Sequence, residues 1–383
     1  MNKLKNKNGI TLVALIITII VLLILAMVSI SLVMNSGIIN KSKTAVDKYS
    51  QEEVQEQIKL AYSEWQMGQY TGETRTAAEF MQAKLNSIYG TGAVTDVTET
   101  NGTFEVTFAN GKGYSYNVST GTAAKVVKWN DNGNNTFTHS ETGQKVEVGD
   151  TVYYNSGVAA YEGEGANQGK WGILGVENGK LLIMSKENVA TVELRGKQDY
   201  LTDGTTKLNN ACSSFKNPTY ADSVRSVKVE DINKITGYTA PDPVTYTYTM
   251  VNGKVKRNDQ TSASSITKFE DINGKTLPTD SPIEVTANYY SYSLTNYLTS
   301  GNKVHNLLKD NSNSYWLDSP CVDAYAGFAS WVFRLVYDGD VYRGSLWNSR
   351  DGAYDYSGGV RAVVSLKSDI QLSESSSEGW TIQ

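Results

Sequence analysis

The chain has 383 residues, of which 40% are hydrophobic and 20% charged, and its formal net charge is −5. This length has room for two soluble domains besides any membrane helix. The mild acidity, with no basic stripe beyond the first residues, excludes a nucleic-acid partner, because such binding depends on clustered lysine and arginine.

An uncharged run of 25 residues, Ile10 to Met34, follows a short leader that holds Lys3, Lys5 and Lys7. At about 1.5 Å per residue this helix would reach roughly 37 Å, enough to cross a hydrocarbon core of about 30 Å with some tilt. The basic leader predicts a single-pass protein of the cell membrane, with its N-terminus inside and its bulk extracellular. A cleaved signal peptide fits less well, since the run is too long and no A-x-A site follows it.

The border between KNKNG and ITLVAL resembles the prepilin leader of type IV pilins and pseudopilins. The resemblance implies a leader over residues 1–9, cleavage after Gly9, methylation of Ile10, and assembly with other pilin-like subunits into a filament. That family usually carries Glu at the fifth mature position, where this chain has Ala14. Without the carboxylate, a neighbour's amine in an apolar filament core would stay unpaired. This favours a tip subunit, or a protein that stays in the bilayer, over a stacked subunit; a plain membrane anchor is the simplest alternative.

The spine predicted from the apolar run continues as an amphipathic helix. Apolar side chains from Ile39 to Trp65 recur mostly every three, four or seven positions, which predicts one packed stripe. Thr76 and Glu79 have the spacing of a capping box for a second helix. Asn-Gly turns at residues 101–102 and 110–111 separate three short strands. We therefore expect a spine helix over residues 10–66 and a small α+β head over residues 67–124.

The rest of the chain is predicted to form one larger α+β domain over residues 125–367 and a flexible, serine-rich tail over residues 368–383. Asn178-Gly179 marks a hairpin, and Gly237 ends a short helix that begins at Val229. Further expectations are two surface insertions, Ala240 to Gln260 and Thr261 to Pro282, a candidate helix from Tyr289 to Tyr297, and a strand from Val360 to Leu366.

No cofactor or metal site is predicted. Cys212 and Cys321 are the only cysteines, and their separation of 109 positions fits no metal-ligand spacing. An extracellular location would let them form a disulfide, but two buried free thiols are equally compatible. His139 and His305 are interpreted as surface or core residues. The polar stretch of residues 130–135 lacks the spacing of a calcium loop.

Residue usage changes from Asp310 to Leu366. These 57 positions contain no Lys, Glu, Gln or Met, although those four types supply 66 of the 383 residues. The same stretch holds four of the eight arginines, and nine aromatic residues lie between Tyr325 and Tyr356 among Gly, Ser, Asp and Asn. Rigid rings, small polar groups and arginine forks are typical of antibody-like binding surfaces.

YWLDSPC (Tyr315 to Cys321) and GVRAVVSL (Gly359 to Leu366), with the Tyr/Asp/Ser/Gly-rich span between them, resemble the variable C-type-lectin-fold domains that retroelements diversify. These domains share their scaffold with formylglycine-generating enzymes, and the resemblance covers Val148 to Leu366. In that family, template adenines are randomised on copying, and an AAC codon treated in this way never yields Lys, Glu, Gln, Met or Trp. The resemblance therefore implies that Trp331 and Trp347 are fixed by the template.

The same stretch divides into a predicted framework and a predicted contact set. Val332, Leu335 or Val336, Val341, Leu346 and residues 360–366 are expected to be framework, with apolar side chains alternating inward. The predicted ligand-binding set is Tyr325, Phe328, Ser330, Arg334, Tyr337, Asp338, Asp340, Tyr342, Arg343, Ser345, Asn348, Arg350, Asp351, Tyr354, Asp355 and Tyr356.

The predicted fold class is α+β: a long N-terminal transmembrane, pilin-like helix with a small β-meander head, then a C-type-lectin-like domain. The predicted function is that of a surface-displayed adhesin or receptor for a foreign protein or glycan ligand. A minor or tip subunit of a pilus-like filament, with a structural role, is the alternative. No nucleophile elbow, P-loop or zinc motif appears, so we do not expect an enzyme, and a formylglycine-generating type is the remotest possibility.

Overall fold

The computed structural model describes residues 51–162, 170–277, 281–309, 314–374 and 379–382. Strands hold 42% of these residues and helices 23%. No helix within these ranges is long and apolar enough to cross a membrane. The prediction of a fold led by a long transmembrane helix is therefore corrected: the described part of the chain is mainly β-sheet, and the single-pass location is not supported. The predicted span Ile10 to Met34 and the leader residues Gly9 and Ile10 lie outside the described residues.

The first described helix is too polar to be a membrane helix. It covers Gln51–Gln69, and its sequence QEEVQEQIKLAYSEWQMGQ places charged and amide side chains around most of its circumference. Its buried residues are Val54, Ile58, Ala61 and Tyr62, a single stripe. Such a helix is stabilised by packing one face against a domain, not by lipid.

The chain divides into two compact units between Val127 and Lys128, three residues beyond the predicted limit at 124. The elements of the first unit are helices α1 (Gln51–Gln69) and α2 (Ala77–Tyr89) and strands β1 (Val94–Thr100), β2 (Thr103–Phe108), β3 (Gly113–Asn117) and β4 (Thr122–Val126). The strands form one antiparallel sheet in chain order.

The capping box and the Asn-Gly turns predicted for the first unit are confirmed, whereas the predicted spine before Gln51 lies outside the described residues. Thr76 caps α2 and forms the capping box with Glu79. Asn101 and Gly102 have φ values of 51° and 74°, which the tight β1–β2 turn requires. The fourth strand, β4, was not predicted.

The second unit is built mainly of short strands. Its helices are α3 (Ala159–Glu162), α4 (Gly196–Gln198), α5 (Gly204–Cys212), α6 (Val229–Thr236) and α7 (Lys303–Leu308), with a π-helical turn at Asp199–Asp203 and 3₁₀ turns at Ser213–Phe215 and Leu294–Asn296. Its strands before the central hairpins are β5 (Trp129–Asp131), β6 (Thr136–His139), β7 (Lys145–Glu147), β8 (Thr151–Tyr153), β9 (Trp171–Glu177), β10 (Lys180–Ser185), β11 (Ala190–Arg195), β12 (Ala221–Ser226), β13 (Val244–Val251), β14 (Lys254–Arg257), β15 (Phe269–Glu270), β16 (Thr276–Leu277), β17 (Ile283–Ala287) and β18 (Tyr292–Ser293). The remaining strands are β19 (Tyr315–Ala324), β20 (Ala329–Tyr337), β21 (Asp340–Asn348), β22 (Gly352–Ala353), β23 (Asp355–Val360), β24 (Ala362–Leu366), β25 (Leu372–Glu374) and β26 (Trp380–Ile382).

Two large sheets enclose the main core of this unit. One has the strand order β12-β24-β10-β9-β8-β26-β25, and the other has the order β11-β23-β19-β20-β21-β18 with β22 added beside β21. Trp171 and Ile183 from the first sheet and Trp316 and Phe333 from the second belong to one hydrophobic cluster. The second sheet therefore has a rigid backing along its middle strands.

The C-terminal tail is ordered where it is described, contrary to the prediction of a flexible segment. Strands β25 and β26 pair with each other, and β26 runs parallel to β8. Ile370 and Leu372 are buried in the main core, and Trp129 donates its indole N–H to the Ile370 carbonyl at 3.3 Å. Apolar side chains set among the serines account for this order, because they gain free energy by leaving water.

The described parts of the two predicted surface insertions form one small lobe, which we define as residues 244–277 and 281–287. Its strands β13, β14 and β17 make an antiparallel sheet in the order β14-β13-β17, and β15 pairs with β16. Tyr248, Val255 and Phe269 form its core, which also takes in Val322 and Trp331 of the second large sheet. The lobe is therefore packed on the region where the ligand-binding set was predicted.

The predicted helix from Tyr289 to Tyr297 is wrong. This segment contains the short strand β18, which pairs with β21, and the 3₁₀ turn Leu294–Asn296. The predicted hairpin at Asn178-Gly179, with φ values of 51° and 76°, and the helix ended by Gly237, with φ 70°, are confirmed.

Candidate ligand-binding surface

The framework half of the predicted segment lies in the middle of the second large sheet. Strand β20 pairs with β19 on one side and with β21 on the other, and eight of its nine residues are buried. Val332, Leu335, Val336, Val341 and Leu346 are all buried, as predicted for a framework. The backbone on which the predicted contact residues sit is therefore fixed by packing on both faces.

Three members of the predicted ligand-binding set are buried instead of ligand-facing. Ser330, Arg334 and Asn348 have exposed fractions of 3%, 3% and 5%. Arg334 is covered by chain from outside the segment, since the backbone carbonyls of Asn288 and Tyr290 both accept from its guanidinium, whereas Asn348 is bonded to residues of its own turn.

Arg334 is held as a structural cation. Its guanidinium carbon lies 3.9 Å from the centroid of the Tyr290 ring, and one of its nitrogens donates to the Tyr290 carbonyl at 3.0 Å. Within the described chain, no carboxylate lies at ion-pair distance from it. The carbonyl dipoles and the aromatic face stabilise the buried charge, as the planar guanidinium allows.

One end of the surface combines aromatic rings with arginines. Tyr325 and Phe328, at the turn between β19 and β20, stack with their centroids 4.3 Å apart, and Arg350 lies 4.7 Å from the Phe328 centroid. Arg343 donates to the Tyr325 hydroxyl and pairs with Asp323 at 3.0 Å. Partial burial raises the pKa of Tyr325.

A polar bracket follows β21 at the same end. Arg350 pairs with Asp351 at 2.6 Å, and Asp351 also accepts from the Tyr354 hydroxyl at 2.9 Å. Asn348 donates to Tyr354 at 3.1 Å and accepts from the backbone N–H of Asp351 at 2.6 Å. The Arg350 guanidinium lowers the pKa of Asp351 to about 2. The side chains of this turn are thus mutually oriented while Asp351 and Tyr354 remain exposed.

The other end of the surface is the tip of the β20–β21 hairpin. Asp338 and Gly339 have φ values of 50° and 77°, so both turn residues are left-handed, as in a type I′ hairpin turn. Tyr337 and Tyr342 flank the tip with exposed fractions of 53% and 44%, and Asp338 and Asp340 are also exposed. The tip therefore presents tyrosine and aspartate, in contrast to the arginine-rich opposite end.

The remaining members of the predicted set are split between exposure and packing. Asp355 is exposed, whereas Tyr356 is half-buried and packs edge-on against Trp316, with centroids 5.3 Å apart. Ser345 is half-buried and accepts from Arg343 at 3.0 Å. Tyr356 thus has a framework contact that its place in the sequence did not indicate.

Tyr289 and Tyr290 belong to the surface but were not predicted as part of it. The Tyr289 ring meets Tyr342 edge-on at 6.4 Å and lies 5.3 Å from the Arg343 guanidinium. The dense tyrosine spacing of their segment was the available signal, and it was interpreted as a helix. A cleft of 630 Å³ opens beside Tyr290, and Arg334 is the only predicted contact residue that lines it. The exposed members of the set do not line this cleft.

The two cysteines do not form a disulfide, which the sequence had left as one of two alternatives. Cys212 and Cys321 are both free and buried. Burial raises the pKa of each thiol to about 12, which makes the reactive thiolate scarce at neutral pH. No group of three or more potential metal ligands occurs among the described residues.

Comparison of the chain with protein-family models, curated proteins and solved structures found no match. The resemblances to pilins and to retroelement-diversified domains therefore stay predictions. Any function has to be argued from the surface itself.

Proposed function

We propose that this protein is a binding protein that recognises a macromolecular ligand, a protein or a glycan, through the β20–β21 hairpin and the turns beside it. The proposal rests on one observation: within one short stretch of chain, some side chains are exposed and others are buried. Tyr337, Tyr342 and Tyr354 expose 53%, 44% and 38% of their surface, while the framework side chains of the same strands are buried. Exposed rings on a rigid sheet lose little conformational entropy on binding, which favours affinity.

The dimensions of the surface favour a large ligand. Phe328 and Tyr337 stand nine residues apart at the two ends of β20, a distance of about 30 Å at 3.3–3.4 Å per residue. Small-molecule sites are usually concave and enclose most of their ligand. A protein interface instead covers about 800 Å² on each partner, and an exposed strip of this length suits that size.

The internal pairing of the charged side chains supports recognition by an ordered surface. Arg343 is paired with Asp323, and Arg350 with Asp351, before any ligand arrives. Side chains that already have partners lose less freedom when a ligand binds. The two guanidinium groups nevertheless remain partly exposed and can stack on a ligand or donate hydrogen bonds to its carboxylates.

The amino-acid alphabet of the segment supports a role in variable recognition. Lys, Glu, Gln and Met are absent from Asp310 to Leu366. Diversification by adenine randomisation would leave out these residue types, and it would act usefully only where side chains are exposed on a backbone that does not move. The sheet supplies such a backbone at Tyr337 and Tyr342.

The test compares binding by the wild-type chain and by two triple variants on protein and glycan arrays. The surface variant carries Tyr337→Ser, Tyr342→Ser and Tyr354→Ser; the control carries Tyr70→Ser, Leu201→Ser and Met67→Ser, at exposed apolar positions outside the binding surface and the lobe. We expect a ligand whose binding falls at least tenfold with the surface variant and stays within twofold with the control. The proposal is wrong if every ligand retained by the wild type binds the surface variant equally well.

A further inference from the structure

The lobe reaches into the turn that carries Tyr325 and Phe328. Tyr248 on β13 is fully buried, and its hydroxyl lies 2.7 Å from the Tyr325 carbonyl and 3.2 Å from the Phe328 carbonyl. The Tyr325 N–H donates across the same turn to the Phe328 carbonyl at 2.8 Å. One lobe hydroxyl therefore lies within hydrogen-bond distance of the main-chain carbonyls at both ends of the turn, with a single O–H to donate to them.

A close approach of backbone to lobe occurs inside this turn. A Cβ atom placed on Gly327 would lie 2.3 Å from the Ser264 Oγ and 2.6 Å from its Cβ. Ser264 is itself tied down, because its hydroxyl donates to the Val255 carbonyl at 2.8 Å. Since ordinary carbon contacts are about 3.5 Å or longer, only glycine fits position 327 without a shift of the turn or the lobe.

A second lobe side chain holds the strand that leads into the turn. Arg257 on β14 donates to the Ala324 carbonyl and pairs with Asp259 at 2.7 Å. Its guanidinium carbon lies 4.1 Å from the Tyr246 ring centroid. Arg257, like Tyr248, therefore bonds to a main-chain atom of the binding segment.

The lobe also contacts the polar bracket after β21. The Glu270 N–H donates to the Ser349 carbonyl at 2.8 Å, and the Glu270 carboxylate pairs with Lys197 at 2.5 Å. The Lys197 ammonium lies 4.1 Å from the Trp347 ring centroid. Both turns at the aromatic–arginine end are therefore joined to the lobe through backbone atoms or a framework tryptophan.

We propose that the lobe is a positioning element of the binding surface, which fixes the main chain of the Tyr325–Phe328 turn so that the side chains at 325 and 328 can change without moving it. Tyr248 is its central residue. This inference rests on the proposed function, since it explains how the binding turn keeps its shape. It assigns no contact with the ligand to the lobe.

The pattern of bonds supports positioning over ordinary packing. A turn whose shape depended on its own side chains would change with every substitution at Tyr325 or Phe328. Here the bonds from Tyr248 and Arg257 end on carbonyl oxygens, which every residue type provides. Clamping the main chain also removes loop entropy before binding, so less is lost when a ligand arrives.

The decisive experiment is hydrogen exchange on the full chain with and without Tyr248→Phe, and it needs no ligand. Removing one hydroxyl deletes the two contacts to the turn but leaves the ring in the lobe core. We expect the Tyr325 amide to exchange about five- to tenfold faster, the change that corresponds to one lost hydrogen bond, while amides paired between β13 and β14 keep their rates.

Tyr154→Phe is the matched control. Tyr154 is also buried and also donates its hydroxyl to a backbone carbonyl, that of Phe215 at 2.8 Å, in the main core. This variant should accelerate exchange near Phe215 and leave the Tyr325 turn unchanged. An unaltered Tyr325 amide in Tyr248→Phe, or equal acceleration throughout the lobe, would overturn the positioning role while leaving the proposed function open.

A pair of substitutions tests the close approach independently. Gly327→Ala should accelerate exchange in the turn at least fivefold, and Ser264→Gly, which removes the two nearest clashing atoms, should reverse most of this effect in the double variant. Additive effects of the two changes would contradict a direct contact between lobe and turn.

Discussion

The Tyr325 and Phe328 rings stack at the β19–β20 turn with an interplanar angle of 14°, and Arg350 covers the Phe328 ring from the neighbouring turn. The aromatic pair is partly exposed, whereas Trp331, three residues further along, is 5% exposed in the lobe core. Aromatic side chains only a few positions apart therefore differ strongly in how deeply they are buried.

We predict that substituting the stacked pair changes stability little. Tyr325→Ser and Phe328→Ser should each lower the free energy of unfolding by about 1 kcal/mol or less, because an aromatic pair contributes about 0.5–1.5 kcal/mol beyond burial and this one is partly exposed. Trp331→Ala, which leaves a cavity, should cost about 3–5 kcal/mol. Urea unfolding monitored by circular dichroism checks the difference. Equal losses at Phe328 and Trp331 would show that the turn is part of the core.

Arg334 is predicted to act on stability and not on ligand contact. Arg334→Ala should cost about 2–4 kcal/mol, because the Asn288 and Tyr290 carbonyls would lose a buried donor. Arg350→Ala removes an exposed pair and should cost no more than about 1 kcal/mol. Urea midpoints of the two variants measure this contrast. A loss at Arg334 as small as that at Arg350 would contradict a structural role.

The Arg350–Asp351 pair predicts a specific response to acid. The pKa of Asp351 is lowered to about 2, so the stabilisation from this pair is complete above the ordinary value of 3.8 and is lost as the pH falls towards 2. Carboxyl-carbon NMR should show Asp351 titrating near 2 in the wild type and closer to 3.8 in Arg350→Ala. Arg343→Ala should leave this titration unchanged. A wild-type midpoint near 3.8 would mean that the pair does not form in solution.

The two cysteines are predicted to be free thiols that react slowly with thiol reagents. Burial raises the pKa of Cys212 and Cys321 to about 12, so a thiol-reactive dye should label neither within minutes in the native protein. After unfolding in guanidinium without a reductant, it should label both. Absence of labelling in the unfolded protein would establish a disulfide, contrary to the structure.

Local signals in the sequence predicted the elements that depend on few neighbouring residues. The Thr76–Glu79 capping box, the Asn178-Gly179 turn and the Gly237 helix end each involve residues within a few positions of one another. The Asp338-Gly339 turn carried the same kind of signal and was not used. Reading it as a type I′ turn would have placed the hairpin tip correctly.

The features that were mispredicted depend on distant parts of the chain. Arg334 lies between Phe333 and Leu335 on strand β20, and nothing local shows that the carbonyls of Asn288 and Tyr290, more than 40 positions away, accept from its guanidinium. The lobe was predicted as two separate surface insertions, because its core is completed by Val322 and Trp331 from another sheet. Such burial follows from tertiary packing, which periodicity alone does not reveal.

The account depends most on the claim that the exposed side chains of the hairpin and its turns are a diversified contact set on a fixed framework. Sequencing the coding stretch for residues 310–366 in many sister isolates, with the neighbouring DNA that would hold a template copy, tests it most directly. We expect substitutions at Tyr325, Phe328, Tyr337, Tyr342 and Tyr354 that fall at template adenines and never introduce Lys, Glu, Gln or Met, with Gly327 and Trp331 unchanged. Lysine or glutamate at the exposed positions, or equal variation at the buried ones, would contradict the account.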